Sequence, residues 1–266
     1  MKLKEIYSCL DQIAPFSIQC EWDNSGLLLG DGNDEINRIL VTLDVTEEVV
    51  EQAIQAKADL IISHHPLIFE SLSQINTDAY HTALILKMAR NNIDYIAMHT
   101  NMDQTALGEV ADELLGIKRE KTLTVNITKD GRTYGFGSVG KFIDGNKNEV
   151  DITLRDAVIK VKEVFNKDVV KVYGNLDSVI SRVAVCTGSG RSMIEDCVRE
   201  KCDLFVTGDI IYHAGLEAAS KGLCVIDAGH YSTEIIFIDI VCAFFKMNIP
   251  SLEVMPAFQE EAGVYM

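Results

Sequence analysis

Apolar positions along the chain switch between two rhythms. Leu3, Ile6, Tyr7, Leu10 and Ile13 fall on one side of a helix, and Pro15 closes that segment. Residues 38–43 (RILVTL) form a continuous apolar run of strand length. TEEVVEQAIQAKA follows, with Thr46 at its head and acids in the first turn, which predicts a helix start. DLIIS (59–63) is a second strand and ends in His64-His65-Pro66. A helix near 78–91, the strand DYIAM, the segment HTNMD (99–103) and a helix to about 115 come next. This order predicts an α/β fold with a parallel, doubly wound sheet, whose ligands bind at the carboxyl ends of the strands. Residues 121–142 depart from it: KTLTVNI and TYGFGSVGKF flank KDGR and predict a hairpin with an Asp-Gly turn. DITLRDAVIKVKEVF reads as a helix, and KVYGN (171–175) as a short strand.

The first pattern then returns. Arg38–Leu67 aligns without gaps on Arg182–Ile211 at an offset of 144, with Arg38/Arg182, Glu51/Glu195, Lys57/Lys201, Asp59/Asp203 and Leu60/Leu204 identical. The matched strand–helix–strand periodicity points to an internal duplication. We therefore expect two related α/β lobes, residues 1–120 and 121–266, pseudo-symmetric and free to interdigitate, with a metal cleft between them.

Composition narrows the classes. At 266 residues and 47 % apolar content, the chain can bury a sizeable core. A formal charge of −16 with no Lys/Arg cluster speaks against broad nucleic-acid binding. The seven cysteines form no CxxC pair, which fits reduced thiols in a cytoplasmic protein. The start has no signal-peptide core, and the apolar stretch Ile235–Ile249 is interrupted by Asp239 and Lys246, so no membrane span is expected.

The chemistry gathers where strands end. His230 and Glu234 in GHYSTE stand four apart at a helix start, on one face and one turn apart. His64 and His65 are adjacent, and at a strand end before Pro66 the turning backbone lets both face one cleft. Neighbouring residues fit poorly around one tetrahedral ion and better around a pair. With Asp103 from the next strand end, the five form two His-plus-carboxylate sets sharing Glu234, with positions left open for water. His99 is a candidate proton shuttle; His213 stays open between that role and a structural one, and His81 reads as a surface residue. Thr46 is accounted for as a helix cap, and Asp44 is a candidate to line the cleft. Thr207-Gly208-Asp209 either bonds a ligand or shapes a turn. Trp22, beside Asp23 and Asn24, reads as packing between subunits ahead of base stacking. Gly188-Ser189-Gly190 offers backbone amides to an anion, but GxGxxG and the P-loop are absent.

EWDNSGLLLG (21–30), SHHPLIF (63–69), HTNMD (99–103), TGDIIYH (207–213) and GHYSTE (229–234), in this order, resemble the Nif-three-like family, the GTP cyclohydrolase 1 type 2 homologues. The resemblance runs from the first helix to the end of the chain, and as a set the motifs are highly specific. It implies two divalent ions per subunit in a ring-shaped homohexamer of two-lobed α/β subunits. His65 and Asp103 would bind one ion, His64 and His230 the other, and Glu234 would bridge them. The short stretch between 120 and 180 matches the compact form without an inserted domain. Ligand types suit Zn, Mn, Fe, Co or Ni. The function so implied is a metal-dependent hydrolase of a nucleotide or related small molecule, through GTP ring opening or phosphoester cleavage. The alternative is a non-catalytic metal-binding or protein-assembly platform.

Overall fold

The computed structural model describes residues 1–263. In chain order the elements begin with α1 (Leu3–Ile13), β1 (Gly26–Leu29), β2 (Arg38–Thr42), α2 (Glu47–Ala56), β3 (Leu60–Ser63), α3 (Tyr80–Arg90), β4 (Asp94–Ala97) and α4 (Thr100–Met102). α5 (Gly108–Leu115), β5 (Ile117–Lys129), β6 (Arg132–Phe142), β7 (Ile152–Thr153), α6 (Leu154–Val164), β8 (Lys171–Tyr173) and β9 (Val179–Ile180) follow. The chain continues with β10 (Val183–Ser189), α7 (Ile194–Arg199), β11 (Leu204–Gly208), α8 (Tyr212–Ser220), β12 (Cys224–Asp227), α9 (His230–Glu234), α10 (Ile236–Asn248) and β13 (Glu253–Pro256). Contacts gather these into two compact units, Met1–Met102 with Phe237–Glu260, and Asp103–Ile236 with the described residues from Glu261 on.

The first unit is built on a five-stranded sheet in the order β1-β4-β3-β2-β13. Four strands are parallel; β1 joins β4 antiparallel. Both faces are covered. Leu40, Ile61 and Tyr95 pack with Val49, Val50 and Ala53 of α2 and with Leu84, Ile85 and Met88 of α3. The alternate residues Ile39, Val41, Leu60, Ile62 and Ile96 are fully buried on the other face. Thr46 caps α2 by accepting from the Val49 amide.

The second unit holds a six-stranded sheet, β5-β6-β10-β11-β12-β8, and a small β7-β9 pair. β10, β11 and β12 are parallel, flanked by antiparallel β6 and β8. One face packs on α5 and α6, the other on α7 and α8. The β5–β6 hairpin turns at Asp130 (φ 52°) and Gly131 (φ 76°), the double positive φ of a two-residue turn that matches strand twist. The strands read from the repeated strand–helix rhythm, β2, β3 and β4 and then β10, β11 and β12, are parallel as expected, and antiparallel β1, β6 and β8 at their flanks make both sheets mixed.

The paired identities do matching work in each unit. Ile39 pairs with Leu60 in β2–β3, and Val183 with Leu204 in β10–β11, the same register at an offset of 144. Asp59 accepts from the Asn37 and Arg38 amides at 2.8 and 2.9 Å; Asp203 accepts from Ser181 and Arg182 at 2.9 and 2.8 Å. Arg38 donates to the Ala56 carbonyl and Arg182 to that of Glu200. Lys57 and Lys201 both take the left-handed conformation that ends their helices. Among the described residues no helix is long and apolar enough to cross a membrane.

Candidate metal centre

In the first unit, β3 delivers His64 and His65 at its carboxyl end, and β4 leads through Met98 to His99. The three imidazoles each bring a ring nitrogen within 4.8 Å of the others, a group able to hold a metal ion. His64 is fully buried, with its ring 5.2 Å from that of Phe237. What holds the rings decides their chemistry. His64 Nδ1 lies 2.8 Å from the Met98 carbonyl, and His65 Nδ1 lies 2.7 Å from Asp44 Oδ1. His99 Nδ1 lies 2.8 Å from Asp23 Oδ1. A carbonyl or carboxylate oxygen only accepts, so each Nδ1 carries the proton and each Nε2 presents its lone pair as donor.

Asp23 is a dense anchor. Its other oxygen accepts from Ser25 Oγ at 2.8 Å, the Thr100 amide at 3.0 Å and Thr100 Oγ1 at 2.5 Å. Burial by itself would raise its carboxyl. The hydrogen bond from His99 and those from the two hydroxyls outweigh that and hold it well below the usual carboxylate range. Trp22 is 60 % exposed and stands 6.1 Å, ring to ring, from both Phe69 and His99, so within this unit its ring lies beside the histidine cluster.

In the second unit, α9 starts right after β12 and carries His230 and Glu234. As the four-residue spacing predicts, the two meet: His230 Nε2 is 2.9 Å from Glu234 Oε2. His230 Nδ1 is held by Asp209 Oδ2 at 2.7 Å, from the end of β11. Asp209 adopts φ 57°, outside the usual range for a non-glycine residue. With the Glu234 bond as the main cause, opposed by burial and aided by Asp209, the imidazole is pushed up to about 9. The pair is built to take up positive charge, and a divalent ion competes with the proton for the same donors. Asp103 follows α4. Burial pushes the Cys186 thiol up, and the charges of Asp103 and Glu234 push it further, so both carboxylates sit within electrostatic reach of one sulfur.

Gly188 explains how Glu234 fits. At φ +65°, a Cβ there would lie 1.9 Å from Glu234 Oε1 and 3.4 Å from His230 Nε2. Its amide donates to Thr233 Oγ1 at 2.9 Å. The Gly188-Ser189-Gly190 loop, read from sequence as an anion cradle, therefore uses its first amide to fasten α9 and its missing side chain to make room for a carboxylate. His213 is exposed at the start of α8, and His81 is exposed on α3. The cysteines are free thiols, and burial raises those of Cys186, Cys197, Cys202, Cys224 and Cys242, which suits inert core residues.

Sequence reasoning did not assign Asp23, Asp44 and Asp209 as histidine anchors. One signal was available: Asp44 precedes His65 by 21 residues and Asp209 precedes His230 by 21, each pair spanning neighbouring parallel strand ends.

Known proteins resemble the chain along nearly its whole length. The family model for Duf34/NIF3 (NGG1p interacting factor 3) covers residues 1–261. A Campylobacter jejuni protein named GTP cyclohydrolase 1 type 2 homolog is 37 % identical over 252 residues, 94 % of each chain. The crystal structure of a Staphylococcus aureus protein superposes with a TM-score of 0.87 at 27 % identity, covering 100 % of this chain and 99 % of the other. A Bacillus cereus protein related to NIF3 shares the fold, with a TM-score of 0.88 at 22 % identity over 100 % and 99 % of the chains. This chain therefore belongs to the DUF34/NIF3 family.

Proposed function

We propose that the protein is a dinuclear-metal-dependent hydrolase of a nucleotide or related small molecule, with ring opening of GTP as the leading reaction. His64, His65, Asp103, His230 and Glu234 are the proposed ligands, with Glu234 shared between two ions. The observation that carries this reading is the fixing of Nδ1 on His64, His65 and His230 by an oxygen acceptor, which turns Nε2 of His64 and His65 into lone-pair donors and leaves Nε2 of His230 to become one when an ion displaces the proton it shares with Glu234. Bound divalent ions would supply Lewis acidity, acidifying water and polarising an electrophile. Asp44 and Asp209 orient their histidines and raise the basicity of Nε2. Asp23 holds His99 in one tautomer, ready to pass a proton at Nε2. Trp22 and Phe69 flank that imidazole with apolar surface, a suitable neighbour for a planar base. We further read the matched registers of β2–β3 and β10–β11 as an internal duplication, and place the protein as a cytoplasmic homohexamer.

The test is metal content per chain by plasma mass spectrometry, followed by chromatography of GTP and simple phosphoesters after incubation with the loaded protein. The expected result is near two ions per chain in the parent, loss in Glu234→Gln and His230→Ala, and ring-opened GTP product. A filled site with no turnover of either substrate class refutes the hydrolase and favours a metal-dependent assembly platform. Protein that stays metal-free after reconstitution with Zn, Mn or Fe(II) refutes both.

A further inference from the structure

Away from the histidines, at the amino ends of β3 and β4 in the first unit, lies a cavity of about 480 Å³. Four carboxylates line it, Asp34, Glu35, Asp59 and Asp94, and no lysine, arginine or histidine does. Three of the four are engaged. Glu35 pairs with Lys2 Nζ at 2.8 Å, Asp34 Oδ2 accepts from the Asp31 amide at 3.2 Å, and Asp59 Oδ2 accepts from the amides that align β2.

Asp94 differs. Its residue is only 8 % exposed, and among the described residues its carboxylate has neither a hydrogen bond nor an ion pair. Burial, and then the charges of Asp34, Asp31 and Asp59, push its carboxyl up to about 6. Gly30 makes room for it: at φ +123°, a Cβ at that position would stand 2.2 Å from Asp94 Oδ1. A buried carboxylate without a partner destabilises a fold. Here the backbone keeps a glycine that accommodates it, among like charges and beside open volume.

The volume and the donors limit what answers that charge. No three of these carboxylates bring ligand oxygens within 4.8 Å of one another, an arrangement ill suited to gripping a metal ion directly. Water occupies roughly 30 Å³ per molecule, so the space exceeds that of a bare ion many times over. Leu29, Ile36, Ala89 and Ile93 supply apolar wall beside the acids. A cationic head on an alkyl stem matches both surfaces.

We infer that this cavity binds a primary alkylammonium group, with Asp94 as its counter-ion and the apolar wall along its stem. The inference is independent of the metal reading, since the carboxylates here share no residue with the proposed ligands. The chemistry is common to a free amine and to a lysine side chain. Calorimetric titration of the full chain with n-butylamine and, separately, with Nα-acetyl-lysine amide at about pH 7.5 tells these apart by which binds more tightly. Butanol is the uncharged control. The expected result is saturable one-site binding of the amines, weakened about tenfold or more in Asp94→Asn, as loss of a close buried counter-ion predicts. Asp34→Asn, on the rim, is expected to weaken binding by about threefold and serves if the first variant fails to fold. Absence of saturable amine binding, equal affinity in both variants and the parent, or equal binding of butanol overturns the inference.

Discussion

Replacing Asp94 by asparagine should make the protein more stable at neutral pH, an unusual sign for a change at a buried position. The carboxyl moves from 3.8 to about 6 on folding, roughly two units. At ~1.4 kcal/mol per unit, the ionised form is disfavoured in the fold by up to ~3 kcal/mol, and solvent entering the cavity brings the expected value to ~1–3 kcal/mol. The sign follows from the raised folded value. Below about pH 4 both states are protonated and Asp94 contributes its full stability; that contribution is lost as pH rises through about 6. Asparagine matches the neutral acid in shape and does not titrate. Urea unfolding of parent and Asp94→Asn should therefore give nearly equal stabilities near pH 4 and a gain of ~1–3 kcal/mol for the variant near pH 7.5. A variant that is less stable at both pH values, or a difference that does not change with pH, refutes the account of Asp94 as an uncompensated charge. Adding n-butylamine should narrow the gap at the higher pH by stabilising the parent selectively.

Further outcomes concern the histidines. Asp44→Asn and Asp209→Asn should each lower metal affinity ~10–100-fold in chelator competition while leaving the circular dichroism spectrum intact; affinity within twofold of the parent would mean the anchors are incidental. Gly188→Ala should lose metal because its Cβ meets Glu234 Oε1 at 1.9 Å, whereas Gly222→Ala, at φ +82° with nothing within 4 Å, bears comparable backbone strain and should retain it. Equal metal content in the two would refute the packing argument for Gly188. Metal affinity should rise with pH up to about 9, because the ion displaces the His230 proton. In metal-free protein the same pair stabilises the fold fully below the unfolded imidazole value of about 6.5 and loses that effect as pH rises through about 9. Proton release measured in buffers of different ionisation enthalpy checks the first statement, and a flat affinity between about pH 7 and 9 would refute it.

Much of this was legible because local chemistry and tertiary role coincide. α1, the Thr46 cap and the Asp130-Gly131 turn are each specified within a few residues, and the structure places them where their patterns put them. His230 and Glu234 were readable for the same reason, since one helical turn brings them together. The anchors were not. Asp44 reaches His65 only because β2 and β3 are neighbours, and a lone acid after a strand has many explanations. Asp23 is further removed: it lies in a polar turn and meets His99 across 76 positions. Gly188 was noticed for its backbone amide, while its effect comes from the atom it lacks, which is visible only against Glu234.

β13 has a consequence for how the molecule is made. It lies parallel to β2, with Glu253 beside Arg38, 215 residues earlier in the chain. During synthesis, every strand of the second unit's sheet has emerged by Asp227, while the first unit's sheet still lacks its last strand. From the end of β4 at Ala97 to Pro256 is 159 residues, about 8–30 s at ~5–20 residues per second. Over that interval the hydrogen-bonding edge of β2 stands open, a template for wrong pairing. A nascent chain of this kind gains from a chaperone that covers the edge, and a variant losing residues after Asn248 should aggregate more than one truncated to the same extent at the amino terminus.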